Sequence, residues 1–242
     1  MEENCIECKN IKFSYEENIN VLKDISFSIK SKETVGLIGA NGTGKSTILK
    51  LLVGLEEGYD GKITINDLPV NKKNYYEIRK KVGYLFQDSD NQLFMPTVEE
   101  DIAFGPYNYG LAEADIEKAV LNALETIEIS HLKNRPIHKL SGGEKKLVSI
   151  ATILSMKPDI ILLDEPTVTL DPKNRRRVIN IINSLDDTKI IASHDLDMVL
   201  ETCSRVIFLS NGEIIYDGNT KEALTNKDFL ENNGLELPLC IR

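Results

Sequence analysis

Nine consecutive residues, Gly39-Ala40-Asn41-Gly42-Thr43-Gly44-Lys45-Ser46-Thr47, carry the spacing G-x-x-x-x-G-K-[ST]. Glycines so placed let successive backbone N–H groups turn inward and form a nest for an anion. A helix that starts near Lys45 aims the positive end of its dipole at the same point. Lys45 brings a mobile cation for the outer phosphates of a nucleotide, and the Ser46 hydroxyl is a hard oxygen suited to Mg²⁺. The flanks agree, since the apolar run 34–39 reads as a strand and 47–55 as an apolar-periodic helix.

Two further clusters could act on such a phosphate. Ile160-Ile161-Leu162-Leu163-Asp164-Glu165 is an apolar strand ending in two carboxylates. Its apolar part is expected beside the phosphate-loop strand, with Asp164 near the metal and Glu165 reaching toward an attacking water. Leu140-Ser141-Gly142-Gly143-Glu144 precedes the helical stretch 145–154. A serine and two glycines at a helix N-terminus make a second anion site, and they equally make an ordinary N-cap.

These residues need a frame. The stretches 5–15 and 23–29 alternate and read as strands joined by a turn at 16–20; 61–67 and 81–87 look like two more. From about Asp88 to Lys157 the pattern is helical, clearest over 112–129. Strand 159–166, helix 175–185, strand 188–195 and helix 196–203 follow, then a hairpin turning at Asn211–Gly212 and a tail that is helical and then irregular. The expectation from this alternation is an α/β core with an inserted α-helical subdomain. It is a single domain over 1–242, with 88–157 as the insert bearing the Leu140–Glu144 motif.

Bulk properties narrow the function. The 242 residues are 41% hydrophobic and 28% charged, an ordinary globular balance, and the net charge is −9. An acidic chain is a poor general binder of nucleic acid, which rewards basic stripes. No apolar run approaches the ~18 residues that span a bilayer, and the polar, acidic start is unlike a signal or transit peptide. A cytoplasmic chain is expected, with any membrane role coming through a partner. Cys5 and Cys8 form a lone C-x-x-C and read as residues of an N-terminal strand.

The ordered set of motifs resembles the ATP-binding-cassette ATPases, over nearly the whole chain from Tyr15 to about Gly218. Leu140–Glu144 is similar to the family's signature sequence. Tyr15 resembles the aromatic that stacks on adenine, Gln87 the glutamine-loop residue, and Thr169-Leu170-Asp171-Pro172 the loop that crosses the dimer interface. His194 resembles the switch histidine. Glu144 replaces the commonest glutamine, Leu147 stands where a basic residue is frequent, and Thr169 stands where glycine is common. The resemblance implies an α/β fold, a P-loop NTPase (RecA-like) core with an N-terminal antiparallel β subdomain and an inserted α-helical subdomain, and ATP hydrolysis in a head-to-tail homodimer or heterodimer. Each ATP would lie between one phosphate loop and the partner's Ser141-Gly142-Gly143 turn. Glu165 would activate water, His194 would bond the γ-phosphate, and Ser46, Gln87 and Asp164 would serve Mg²⁺.

The stretch from Phe86 to Pro106 is similar to the cobalt and energy-coupling-factor branch, whose members power import of metal ions or vitamins. Peripheral attachment to the cytoplasmic face of the membrane is then expected. A membrane subunit would dock near Gln87–Phe104, where Leu93, Phe94 and Met95 form an apolar cluster rimmed by Asp88, Asp90, Glu99, Glu100 and Asp101. The rival expectation is a soluble cassette ATPase that remodels ribosomes or DNA. Such proteins usually carry two cassettes or a long coiled-coil insertion, and this chain shows neither.

Overall fold

In chain order the elements are β1 (Asn4–Ser14), β2 (Asn20–Lys30), β3 (Thr34–Ile38), α1 (Lys45–Leu52), β4 (Asp60–Ile65), β5 (Leu68–Pro69), α2 (Tyr75–Lys81), β6 (Val82–Leu85), α3 (Val98–Asn108), α4 (Glu113–Thr126), α5 (Gly142–Leu154), β7 (Ile160–Asp164), α6 (Pro172–Ser184), β8 (Thr188–Ala192), α7 (Leu196–Thr202), β9 (Arg205–Ser210), β10 (Glu213–Asn219), α8 (Thr220–Thr225) and α9 (Lys227–Asn232). This computed structural model describes residues 4–16 and 20–241, so the turn expected at 16–20 lies in part outside the described residues. The chain forms two compact units, Met1–Arg79 with Asp186–Arg242, and Lys80–Leu185.

The first unit holds two kinds of strand, and burial separates them. In β2 the buried residues Ile25, Phe27 and Ile29 alternate with more exposed ones, which marks a sheet with one face on the core. β1 pairs antiparallel with β2 and β4, placing Cys8 opposite Phe27 and Ile63, and β4 pairs with β5. Cys5 and Cys8 are both buried on β1, where loss of water pushes their thiols up from the usual range. By contrast β3 and β8 are buried almost throughout, as parallel strands covered on both faces must be. β3 pairs parallel with β8 and with β9, and β10 closes antiparallel on β9. The β9–β10 turn has φ of 51° at Asn211 and 80° at Gly212, the two positive values that a two-residue hairpin of type I′ demands.

In the second unit β6 and β7 run parallel, in register from Val82↔Ile160 to Leu85↔Leu163. Helices α3, α4 and α5 pack on one another, burying Val98, Ile102, Val120, Leu124, Val148 and Ala151. Thr97 starts α3 with a capping box closed by Glu100, and Ser141 starts α5 with one closed by Glu144. No helix among the described residues is long and apolar enough to cross a membrane.

Candidate nucleotide site

The first unit presents the phosphate loop. β3 ends at Ile38, residues 39–44 turn, and Lys45 opens α1. Gly44 has φ of 101°, and a Cβ there would lie 2.5 Å from the Leu22 side chain, so glycine is required on both counts. Thr43 Oγ1 donates to the Ala40 carbonyl at 2.9 Å and braces the loop. Lys45 is buried, and its Nζ donates to the carbonyls of Gly39 (2.8 Å) and Ala40 (3.0 Å). The ammonium therefore lies across the loop that precedes it. Asn41 and Gly42 are exposed, Ser46 is half-buried and Thr47 is buried.

Tyr15 and His194 belong to the same unit. The Tyr15 hydroxyl bonds Thr47 Oγ1 at 3.2 Å, and its exposed ring stands edge-on to Phe13 with centroids 4.9 Å apart. His194 is exposed, two residues past β8. Ser193 N donates to the Leu37 carbonyl at 3.2 Å, tying the histidine's loop to the strand that feeds the phosphate loop. Because β3 and β8 are parallel neighbours, Gly39 and His194 leave the sheet at the same carboxyl edge, the edge where ligands bind in open α/β sheets.

The second unit presents the acids and the signature turn. Asp164 and Glu165 are both buried at the carboxyl end of β7. Tyr84 on β6 donates its hydroxyl to Asp164 Oδ2 at 3.1 Å. Gln87 is exposed, two residues past β6, on the same edge as the two acids. Ser46, Gln87 and Asp164 all offer oxygen, the donor type that Mg²⁺ takes.

At the signature turn, Ser141 Oγ accepts from Glu144 N at 3.3 Å. Glu144 Oε2 in return accepts from Ser141 N (2.7 Å) and Ser141 Oγ (2.9 Å). Those bonds, with Arg135 3.1 Å away, hold the Glu144 carboxyl below its usual range. Ser141 and Gly142 are exposed, while a Cβ at Gly143 would strike the Asn174 side chain. Leu147, where a basic residue is frequent, is buried in the helical core. Thr169 takes φ of 64°, a left-handed conformation strained for a β-branched residue, which accounts for glycine being common at that place. Asp171 then caps α6, with Pro172 in its first turn.

Four residues here escaped sequence reasoning. Lys146 is buried on α5 and donates to the carbonyls of Phe86 (3.2 Å) and Gln87 (2.7 Å). Burial lowers it to about 8 against the opposing pull of Asp88 and Asp164. Gln92 accepts from Phe86 N and donates to Ser149 O and Thr152 Oγ1. Tyr84 orients Asp164 as described. The available signal for Lys146 was a charge on the inward stripe that continues through Ile150 and Ile153.

The fourth is Asp101, which corrects the expected acidic rim. It is 3% exposed and accepts from Phe94 N (3.1 Å) and Met95 N (3.0 Å), and burial pushes it up to about 6. It falls inward because Val98, Asp101 and Ile102 share the buried face of α3. The apolar cluster also divides, since Leu93 is buried whereas Phe94 is 63% exposed.

Comparison with known proteins gives the family. The family model described as ABC transporter matches residues 22–168. An ABC transporter ATP-binding protein of Geobacter sulfurreducens is 46% identical, covering 100% of this chain and 97% of that protein. An energy-coupling factor transporter ATP-binding protein, EcfA, of Carboxydothermus hydrogenoformans is 41% identical over 98% of this chain and 88% of its own length. The solved structure of CbiO1 from Clostridium perfringens, part of the ABC transporter complex CbiONQ, superposes with a TM-score of 0.84. It is 36% identical, with 96% of this chain and 94% of that one covered. The chain belongs to the ABC transporter family, as an ATP-binding, ATP-hydrolysing subunit coupled to transport.

Proposed function

We propose that this ATPase powers an importer of the energy-coupling-factor type for a metal ion or a vitamin, from the cytoplasmic face of the membrane. The observation that carries the branch is the likeness to EcfA along nearly the whole chain. In this reading two subunits, alike or different, pack head to tail, and 88–157 is the helical insert that presents the signature turn to the partner's nucleotide. The loop 39–44, Lys45 and Thr47 hold the phosphates, and Tyr15 offers its exposed ring to the base. Ser141, Gly142 and Gly143 of the second subunit supply further donors, so the outer phosphate gains them only on closure.

Ser46, Asp164 and Gln87 would hold Mg²⁺, which when bound neutralises charge on the phosphate oxygens. Glu165 takes the proton from water, and His194 bonds the outer phosphate. The exposed Phe94, beside the glutamine loop, supports docking of a membrane subunit over Gln87–Phe104.

The test uses three variants. Glu165→Gln keeps the shape of the base and cannot accept a proton, so ATP binding stays while turnover is lost and an ATP-bound dimer accumulates, seen by light scattering. Ser141→Arg and Lys45→Ala, each inactive alone, recover part of the activity on mixing, because one composite site then carries neither lesion. Wild-type turnover in Glu165→Gln removes it as the base, and full activity of Ser141→Arg alone contradicts action across the interface.

A further inference from the structure

The glutamine loop is tied to the helix that begins with the signature turn. From α5, Lys146 Nζ reaches the carbonyls of Phe86 and Gln87 at 3.2 and 2.7 Å. Gln92 folds back, taking Phe86 N at 3.2 Å on its oxygen and giving its amide to Ser149 O (2.8 Å) and Thr152 Oγ1 (2.9 Å). At the outer end Lys145 pairs with Asp90 at 2.5 Å. Three consecutive handles on one side of a single helix thus hold residues 86–92.

Lys146 is the costly one. It is 3% exposed, and a buried ammonium is retained only where it finds acceptors and opposing charge. Here it finds two main-chain carbonyls, with Asp88 and Asp164 as the nearby charges. An apolar side chain on that inward stripe would serve packing equally well. What a lysine adds is a fixed direction for the peptide that carries Gln87, whose own side chain is exposed.

We propose that Lys146 is the positioning residue for Gln87: from inside α5 its ammonium fixes the Phe86–Gln87 backbone, and so sets where the Gln87 side chain reaches. This rests on the reading of Gln87 as one of the residues that would hold Mg²⁺. One helix then carries the signature turn at its first residue and the anchor of the glutamine loop one turn further on, so the two elements shift together.

The experiment compares Lys146→Met, Lys146→Arg and Gln87→Ala, singly and as the Lys146→Met/Gln87→Ala double variant. Two readouts are used: amide hydrogen exchange over 86–92 without nucleotide, and steady-state ATPase against Mg²⁺ concentration. In Lys146→Met, exchange over 86–92 should rise about tenfold, kcat should fall about tenfold with ATP KM within about twofold, and half-saturating Mg²⁺ should increase. Lys146→Arg should restore most of both, and the double variant should be no worse than Gln87→Ala. Should Lys146→Met fail to fold, Lys146→Gln, which keeps one donor, is judged on the same outcomes. Unchanged exchange, or a loss that multiplies with that of Gln87→Ala, overturns the positioning role and leaves the Gln87 reading standing. Wild-type turnover and Mg²⁺ dependence in Gln87→Ala overturn the Gln87 reading, and the proposal with it.

Discussion

The rings of Phe94 and Phe104 meet edge to face, 4.7 Å between centroids and 88° between planes, and both are exposed to solvent. Such a pair contributes about 0.5–1.5 kcal/mol beyond burial, whereas truncating a fully buried phenylalanine costs about 3–5 kcal/mol. Phe94→Ala should therefore lower the stability of the isolated subunit by about 1 kcal/mol and leave its ATPase activity intact. The same variant should fail to co-purify with its membrane partner. A melting experiment showing a loss near 3 kcal/mol would assign Phe94 to the core instead.

Asp101 carries a pH-dependent prediction. Its carboxyl sits at about 6 in the folded chain, above the 3.8 of the unfolded one, because burial disfavours the charge. Between those values the folded state binds more protons, so this group's contribution to stability falls as pH rises from about 4 to 6, and the penalty persists above. Asp101→Asn keeps an oxygen for the N–H groups of Phe94 and Met95 and removes the charge. It should gain on the order of 1–3 kcal/mol relative to the parent at pH 7.5, a difference that shrinks toward pH 4. Paired urea titrations at the two pH values measure it, and a variant less stable than the parent at pH 7.5 would reverse the argument.

Ser149 makes a third case. It is 0% exposed, and among the described residues its hydroxyl has no hydrogen-bond partner, although its carbonyl takes Gln92 and Thr152. A buried unsatisfied hydroxyl costs about 1–3 kcal/mol. Ser149→Ala removes the hydroxyl and leaves the carbonyl bonds, so the melting temperature should rise by about 2–4 °C. A drop in melting temperature would mean that the hydroxyl has a partner in solution.

The parts legible in sequence were those whose meaning is local. Residues 39–47 depend on a glycine turn followed by a helix, and Asn211–Gly212 on two positive φ angles, and both are written in adjacent residues. The strand Ile160–Asp164 announces itself by four consecutive apolar residues before its closing acid. What stayed hidden was decided by partners distant in sequence. Tyr84 finds Asp164, Lys146 finds Gln87, and Gln92 finds Ser149, none of which adjacent residues reveal. Asp101 was hidden by company, since Glu99 and Glu100 make it look like one more solvated acid. Helix α2 was missed because only Ile78 of its seven residues is buried, too little for a helical period to emerge.

The capping box at Ser141 has a consequence for the proposed dimer. The serine hydroxyl already donates to Glu144 Oε2 at 2.9 Å, and Arg135 holds the other carboxylate oxygen. An arriving phosphate meets a donor that is already in use, beside a charge of its own sign. Binding there is an exchange of one anion for another, with Arg135 compensating the charge left behind. Exchange yields less free energy than filling an open donor does, so in the proposed dimer this serine would grip the phosphate less tightly than an open hydroxyl would. A machine that must reopen after every ATP is better served by a grip of that kind than by a tight one.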